Sequence, residues 1–265
     1  MMRQAAERRQ VLRWLLAGAA TLPLMSCGGG TDAGGMAAGS AGTVTLPATG
    51  ACTVIPEETG GPYPADGTNT YGGSIINVLN QSGVVRSDIR ASFNGATGAA
   101  AGVPLTIQLQ LLNASGGCAS LAGYAVYLWH CDREGLYSLY SSGVTAQNYL
   151  RGVQETDSAG KLAFTTIFPG CYAGRMPHVH LEVYPSLAKA ASAANRIKTS
   201  QFTFPMATLN EAYAASGYTA SVRNLAQISY ATDNVFSDGT SLQMAAVTGN
   251  ATDGYVVTLT IAVNG

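Results

Sequence analysis

Downstream of Cys52, apolar and polar residues alternate in short segments that turn residues separate. The clearest segment is residues 104–112, in which Leu105, Ile107, Leu109 and Leu111 alternate with Thr and Gln. A period of two is typical of a strand with one buried face. Similar segments predict further strands at residues 124–130, 162–168, 178–184 and 255–263.

The remaining local signals are turns and short helices. Residues 157–160, Asp-Ser-Ala-Gly, predict a hairpin between the stretch around Gln154 and the strand that begins at Leu162. Short helices are predicted at residues 186–197 and 208–216, and there is no internal repeat. Many short strands with regular turns favour one all-β domain over residues 51–265. We expect a β-sandwich of mainly antiparallel strands with a few short helices.

The first 50 residues carry export signals rather than a fold. Four arginines precede the apolar residues 14–25, and residues 7–13 resemble the twin-arginine export signal. Residues 24–27, Leu-Met-Ser-Cys, resemble a lipobox whose Cys27 is acylated. We therefore predict a signal peptide over residues 1–26, with a plain signal peptide and a chance cysteine as the alternative. Residues 27–50 are rich in Gly, Ala, Ser and Thr, which is typical of a flexible tether.

Composition supports an exported protein and argues against two other classes. Only 11% of the residues are charged, with 14 Lys and Arg against 15 Asp and Glu. This near-neutral balance gives no electrostatic reason to expect nucleic-acid binding, and the apolar content argues against intrinsic disorder. Removal of the leader takes away four arginines and Glu7, so the mature chain carries a net charge of −4. We expect a periplasmic or cell-surface lipoprotein that meets the membrane only through its lipid.

Four cysteines remain after Cys27, namely Cys52, Cys118, Cys131 and Cys171. An even number in an oxidising compartment predicts two disulfides. Cys118 and Cys131 flank a predicted strand of about seven residues, which holds them roughly 20 Å apart and beyond disulfide reach. Cys131 is thus left to pair with Cys52 or with Cys171, and unpaired buried thiols are the alternative.

Two of the three histidines lie two residues apart on a predicted strand, as His178 and His180. Side chains at i and i+2 share a face, so both imidazoles lie on one side and Val179, Leu181 and Val183 lie on the core side. Two histidines on one strand supply half of a metal site, although the motif alone does not decide for one. The third, His130, stands between Trp129 and Cys131 and is assigned a structural role.

Several segments around these histidines resemble one enzyme family. They are residues 56–63 (Pro-Glu-Glu-Thr-Gly-Gly-Pro-Tyr), 87–90 (Ser-Asp-Ile-Arg), 129–138 (Trp-His-Cys-Asp-Arg-Glu-Gly-Leu-Tyr-Ser), 151–157 (Arg-Gly-Val-Gln-Glu-Thr-Asp), 167–172 (Ile-Phe-Pro-Gly-Cys-Tyr) and 174–180 (Gly-Arg-Met-Pro-His-Val-His). With these motifs in this order, the chain from about residue 52 onward resembles the intradiol ring-cleavage dioxygenases. It is most similar to their exported single-chain relatives.

The resemblance implies a mononuclear non-haem Fe(III) held by Tyr137, Tyr172, His178 and His180. Phenolate is a hard, anionic oxygen donor, so two of them would stabilise ferric over ferrous iron. The resemblance also assigns Arg175 to the negative charge of the bound substrate. Two further residues complete the implied site: Gln201 would lie behind the ligands, and Glu182, on the histidine face, could orient one imidazole.

The implied reaction is the cleavage of a catechol by O2 to a muconate-type dicarboxylic acid, with both oxygen atoms entering the product. In it, the departing phenolate of Tyr172 takes up a substrate proton, and no external reductant is needed.

Two sequence features differ from the catechol and protocatechuate enzymes: residues 173–177 form a short loop, which predicts a more open site, and Gly61 replaces a usually acidic residue. The alternatives are an iron- or ligand-binding lipoprotein without turnover and a structural surface protein.

Overall fold

The computed structural model describes residues 52–265. The predicted signal peptide, the predicted lipidation site at Cys27 and the predicted tether lie outside the described residues. Within residues 52–265, no helix is long and apolar enough to cross a membrane.

Strands make up most of the regular structure. They are β1 (Asp66–Tyr71), β2 (Ser74–Asn77), β3 (Pro104–Asn113), β4 (Ala119–Ser120), β5 (Ala125–Trp129), β6 (Arg151–Glu155), β7 (Lys161–Ile167), β8 (His178–Tyr184), β9 (Lys198–Thr203), β10 (Ala246–Asn250) and β11 (Gly254–Val263). The helices are α1 (Met206–Tyr213) and α2 (Thr219–Leu225), with 3₁₀ turns at Lys189–Ala191, Ala193–Asn195 and Phe236–Asp238. The five strands predicted from alternation are confirmed, each within two residues of its predicted ends.

The strands form two main sheets and a hairpin. One sheet runs β10-β11-β3-β4, with β7 also paired to β3, and the other runs β6-β5-β8-β9. Pairing is antiparallel except between β3 and β11, which are parallel. The expected all-β class, with mainly antiparallel strands, is therefore confirmed. The β1–β2 hairpin is a separate two-stranded sheet.

The four-stranded sheet is buried on both faces. Val179, Leu181 and Val183 of β8 join the alternating leucines and Ile107 of β3 in the larger apolar cluster, as expected from their spacing. On the opposite face, Tyr127 and Trp129 of β5 pack in a second cluster with Tyr137 and Tyr140. This second, aromatic face is the one that carries the histidines of β8.

The hairpin predicted at residues 157–160 is wrong. The turn itself forms, because the Gly160 amide donates to the Asp157 carbonyl at 2.9 Å and the Asp157 carboxylate accepts from the Lys161 amide at 2.8 Å. The flanking strands, however, enter different sheets: β6 pairs with β5, whereas β7 pairs with β3. Turn residues specify a local reversal of the chain, but the buried faces of the strands decide which neighbour each one joins.

The helix predictions hold only in part. Residues 186–197 contain two 3₁₀ turns rather than one helix, because Ser192 is extended and its hydroxyl accepts from the Ala194 amide. The helix predicted at residues 208–216 is α1, which begins two residues earlier and ends at Tyr213. Helix α2 was not predicted, since it buries only Ser221 and therefore shows no apolar stripe.

The cysteines form one disulfide rather than the predicted two. Cys52 is bonded to Cys118, with Cα atoms 5.5 Å apart, while Cys131 and Cys171 are free and buried. The Cys131 thiol donates to the Gly170 carbonyl and the Cys171 thiol to the Arg175 carbonyl, each at 3.3 Å. Both thiols therefore have backbone partners, which matches the alternative of unpaired buried thiols.

Candidate metal centre and its cavity

Strand β8 and the two loops that follow β5 and β7 carry the four predicted ligands. His178 and His180 lie on the aromatic face of β8, and both are buried. The ring of His180 stacks on the indole of Trp129, its cross-strand partner on β5, with ring centroids 4.7 Å apart. Pairing in the sheet therefore sets the position of both imidazoles.

Three of the predicted donor atoms converge. The Nε2 atoms of His178 and His180 lie 3.0 Å apart, and Tyr137 Oη lies 3.2 Å from Nε2 of His178. His178 Nδ1 lies 2.6 Å from the Met176 carbonyl oxygen, which can only accept a hydrogen bond. The proton of the neutral ring is thus on Nδ1, and the lone pair of Nε2 is free for a ligand bond.

The donor set fits a metal ion. The two Nε2 atoms lie 3.0 Å apart, with Tyr137 Oη beside one of them, and imidazole nitrogen and phenolate oxygen are donor types that could hold an ion here. Among residues 52–265, no group of three or more His, Cys, Asp or Glu side chains is placed to hold a metal. Any ion here would therefore need tyrosine oxygens, which favour a hard, highly charged cation.

Tyr172 lies on the other side of Tyr137, with ring centroids 5.7 Å apart and nearly perpendicular planes. Its hydroxyl is 3.1 Å from that of Tyr63, whose ring also packs 4.8 Å from the Tyr137 ring. The hydrogen bond to Tyr172, and then burial, raise the pKa of Tyr63 to about 12. Tyr63 was not assigned a role from the sequence, although it ends a motif that carries the resemblance.

Close backbone packing holds the two tyrosine loops together. Gly135 has a positive φ of 85°, and a Cβ there would lie 2.5 Å from the Cys171 carbonyl oxygen. A Cβ on Gly170 would lie 2.4 Å from the Asp132 carbonyl oxygen, which already accepts from the Gly170 amide at 3.0 Å. Real Cβ atoms do not approach this closely. These two glycines therefore allow the approach that places Tyr137 beside Tyr172.

A fully buried arginine ties the Tyr137 loop to the segment that contains Tyr63. Arg151 Nη1 donates to the carbonyl oxygens of Tyr63 and Pro64 at 2.9 and 3.1 Å. Its Nε and Nη2 donate to the hydroxyl and the carbonyl of Ser138, both at 3.1 Å. The sequence signal was present, since Arg151 begins a matched motif, but nothing in the motif indicated its partners.

The candidate site opens into a cavity of about 330 Å³, near the lower end of the range typical of small-molecule sites. Its walls are formed by Thr59, Gly61, Pro62, Tyr63, Tyr137, Tyr172, Arg175, His180 and Asn234. A larger depression of about 770 Å³ lies over the polar face of β3, β7 and β11. No histidine, tyrosine or arginine lines it, so the smaller cavity is the candidate site.

Arg175 is held at the cavity wall by two side chains. Its Nε donates to Asp233 Oδ2 at 2.9 Å, and its Nη2 donates to Gln201 Oε1 at 2.8 Å. Gln201 in turn donates from Nε2 to the Thr59 carbonyl oxygen at 2.7 Å. Gln201 therefore lies behind Arg175 and, within residues 52–265, its side chain makes no hydrogen bond to either imidazole. Asp233 was missed, because an Asp within Thr-Asp-Asn looks like an ordinary turn residue.

Burial favours the neutral forms of both histidines and of Tyr137. Burial lowers the pKa of His178 to about 3, with the nearby Arg175 adding to the effect, and it lowers the pKa of His180 well below its usual value. Burial also raises the pKa of Tyr137 well above its usual value, against the opposing charges of Arg175 and Arg151. Neutral imidazoles are ready to ligate, whereas Tyr137 needs a strong cation to lose its proton.

Two other residues from the sequence analysis lie away from the cavity. Glu182 accepts from the Tyr184 hydroxyl at 2.5 Å and lies 3.6 Å from Arg196 Nη1, so it does not orient a histidine as we expected. The Met176 carbonyl does this for His178. Both ring nitrogens of His130 have hydrogen-bond partners outside the cavity: Nδ1 lies 2.8 Å from the Cys131 carbonyl oxygen, and Nε2 lies 2.7 Å from the Thr166 hydroxyl.

Gly61, which stands where the resembled family usually has an acidic residue, lines the cavity beside His180. A Cβ at Gly61 would lie 3.4 Å from His180 Cε1, which is ordinary van der Waals contact. His180 Nδ1 has no hydrogen-bond partner among the described residues. Gly61 has a positive φ of 67°, a conformation that favours glycine, so no side chain stands against the imidazole at this position.

Comparison with known proteins identifies related sequences and folds. A family model described as Dioxygenase matches residues 83–198. An intradiol ring-cleavage dioxygenase from Tetranychus urticae is 23% identical, with a TM-score of 0.62, over 80% of this chain and 95% of its own. A second dioxygenase structure is 24% identical, with a TM-score of 0.60 and the same coverage. No curated protein matches the sequence. At these identities, the two structures establish a likeness of fold.

Proposed function

Since the chain resembles the intradiol ring-cleavage dioxygenases in its motifs and in its fold, we propose that it is a ferric dioxygenase that cleaves catechol-type diols. The observation that carries the proposal is the convergence of Tyr137 Oη, His178 Nε2 and His180 Nε2 at a cavity that Tyr137, His180 and Tyr172 line. The bond between the two hydroxyl-bearing carbons would break, and both atoms of O2 would enter a muconate-type diacid. The atoms balance without a reductant.

Tyr137, Tyr172, His178 and His180 would hold the ion. When bound, ferric iron supplies a Lewis acid that makes a chelated catechol carbon reactive toward O2. The chain prepares this chemistry by holding His178 in the tautomer that leaves Nε2 unprotonated. The burial of Tyr137 and both histidines also excludes water from the ligand atoms, which strengthens their interaction with a cation.

Tyr172 is the ligand suited to leave when substrate enters. It is only partly buried, unlike Tyr137, and its loop is short and partly exposed. On leaving, its Oη would accept the proton of a catechol hydroxyl. Tyr63 Oη, 3.1 Å away, would hold the displaced ring by a hydrogen bond. Tyr172 therefore serves as ligand and as base, whereas Tyr137 remains in place.

Arg175 would stabilise the negative charge that develops on the substrate. Its side chain lines the cavity, and its ends are fixed before the substrate arrives, which is the condition for electrostatic preorganisation. The rim of the cavity includes the exposed Pro62 and Asn234. With only residues 173–177 between Tyr172 and His178, this rim leaves room for catechols that carry bulky substituents.

We also propose that the enzyme acts outside the cytoplasm, as a lipoprotein anchored at Cys27. The leader pattern supports export, and the Cys52–Cys118 disulfide suits an oxidising compartment. A reaction that consumes only catechol and O2 suits such a place, because it draws on no cellular reductant. Labelling with a radioactive fatty acid tests the anchor, since Cys27→Ala should remove the label from the cell-bound protein.

The proposed activity is tested by an oxygen-uptake screen of the protein reconstituted aerobically with ferric iron. The substrates are catechol, hydroxyquinol, protocatechuate and larger catecholic compounds. We expect a coloured protein, because tyrosinate transfers charge to ferric iron, and uptake of one O2 per ring opened. A coloured protein that consumes no O2 with any of these compounds would be an iron-binding protein without turnover. A colourless protein would exclude the metal site itself.

A further inference from the structure

Asp233 is a buried carboxylate that lies far in sequence from every motif of the resemblance. It stands between α2 and the 3₁₀ turn Phe236–Asp238, and its side chain is fully buried. Its Oδ2 accepts from Arg175 Nε at 2.9 Å and from the Met176 amide at 2.6 Å. Its Oδ1 accepts from Arg175 Nη2 at 3.3 Å and from the Val235 and Phe236 amides.

Each group that contacts the Asp233 carboxylate through a hydrogen bond is a donor, so this position needs a charged acceptor. Burial alone would raise the pKa of Asp233, but the hydrogen bonds from Arg175 and the backbone outweigh it and lower the pKa below its usual value. An asparagine here would turn an NH2 group toward donors in either orientation of its amide. The position is therefore specific for a carboxylate.

The ion pair decides which nitrogen of Arg175 is free. Nε is held by Asp233, and Nη2 is shared between Asp233 and Gln201. Nη1 has no hydrogen-bond partner among the described residues, and Arg175 lines the cavity. Two of the three nitrogens thus lock the plane of the guanidinium, and the third is left to face a ligand.

We propose that Asp233 is a positioning residue that aims Nη1 of Arg175 at the substrate in the cavity. The inference rests on the proposed dioxygenase function for the identity of that substrate. It explains why a segment about 55 residues beyond His178 forms part of the cavity wall, since Asn234 lines the cavity next to Asp233. Asp233 acts through Arg175 and touches no reacting atom.

The first test needs no metal and no turnover. Phenylglyoxal modifies accessible guanidinium groups, and mass spectrometry of the metal-free protein gives the rate at Arg175 relative to the exposed Arg223 in the same chain. With Asp233→Asn, we expect Arg175 to react about tenfold faster, because its charge-assisted partner is lost. The matched control is Asp238→Asn, which removes an exposed carboxylate nearby and should leave the rate unchanged. An unchanged rate in Asp233→Asn would overturn the proposal.

The second test separates positioning from a general structural role. In the iron-loaded enzyme, Asp233→Asn should lower kcat/KM by about 10²-fold, as expected for a misplaced catalytic group. In an Arg175→Ala background, the same change should cost less than about twofold, because the residue through which Asp233 acts is absent. Equal losses in both backgrounds would contradict the proposal.

Thermal melting is measured for every variant to check that it folds, and iron content is measured for the variants used in the second test. Asp233→Glu keeps the charge, so it should retain iron and more activity than Asp233→Asn. If neither variant folds, Asp233 serves the fold and the proposal is overturned. If the wild-type enzyme cleaves no catechol, the proposed function fails, whereas the modification rates still decide whether Asp233 holds Arg175.

Discussion

The two faces of β8 have the same backbone but opposite requirements. On the core side, Val179, Leu181 and Val183 pack against the five-stranded sheet, where similar apolar side chains would serve as well. On the other side, His178 and His180 need a particular atom in a particular place, because Nε2 of His178 lies within 3.2 Å of both Tyr137 Oη and Nε2 of His180. The comparison shows that packing tolerates exchange of side chains, whereas the candidate site depends on chemical identity.

The difference extends to what supports each face. The core face is held by its own sheet partners, as alternation in the sequence implied. The site face depends on loops from distant parts of the chain, which bring Tyr63, Tyr137 and Tyr172 to the same cavity and Asp233 to Arg175 at its wall. Damage to the core face should therefore reduce stability first, and damage to the site face should reduce metal binding or turnover first.

The largest effect is expected from the loss of a ligand on the site face. Tyr137→Phe or His180→Ala should abolish iron retention and therefore turnover, while the folded state persists because the sheet is unchanged. Iron analysis and the visible spectrum measure this. Tyr184→Phe is the matched control, since Tyr184 lies on the same face of β8 but outside the cavity. Full iron content in Tyr137→Phe would remove that residue from the ligand set.

A smaller loss is expected from Arg175→Ala, which should keep iron and colour. Turnover should fall by about 10²–10³-fold, the usual cost of removing a preorganised charge at a developing anion. Steady-state kinetics with the best catechol of the screen measure the effect, with Arg223→Ala as the surface control. An Arg175→Ala enzyme with full activity would refute the role that we assign to this residue.

On the core face, Leu181→Ala should act on stability alone. It leaves a cavity in the apolar cluster and should lower the free energy of unfolding by about 2–5 kcal/mol. Chemical denaturation measures the change, and the protein that remains folded should still bind one iron. Loss of iron without loss of stability would show that the two faces are not separable in this way.

The smallest effect concerns His130, which bridges from the end of β5 to Thr166 of β7. Burial lowers the pKa of His130 in the folded chain to about 4, from its usual value of 6.5. Between these two pH values, His130 is protonated in the unfolded chain but neutral in the folded chain. Stability should therefore fall as the pH drops from about 6.5 to about 4, by about 1 kcal/mol per pH unit. His130→Gln should reduce that slope by this amount, while His178 and His180, whose pKa values burial also lowers, still contribute to it. Parallel curves for both proteins would contradict this account.

Much of the fold could be predicted from the sequence, because strands in this protein alternate clearly. The two-residue period gave β3 and the core side of β8 directly. Pairing was harder: the turn at residues 157–160 looks like a hairpin turn, yet it joins two sheets. Alternation predicts which face of a strand is buried, but it does not predict which neighbouring strand will pair with it.

The candidate site was predictable only where its residues lie in motifs. His178 and His180 are two residues apart, and the resemblance indicated Tyr137 and Tyr172. Asp233 lies in a turn without a motif, and its importance comes from a long-range contact with Arg175. Such a contact has no local signal, since any Asp in a turn has the same short-range pattern.

We propose that Tyr137, Tyr172, His178 and His180 hold a ferric ion that drives intradiol cleavage. Product analysis after a single turnover of the iron-loaded protein, with a catechol and heavy-oxygen-labelled O2, tests this directly. We expect a muconate-type diacid that contains both labelled atoms. A product with one labelled atom, a ring opened beside rather than between the hydroxyl-bearing carbons, or unchanged catechol would contradict it.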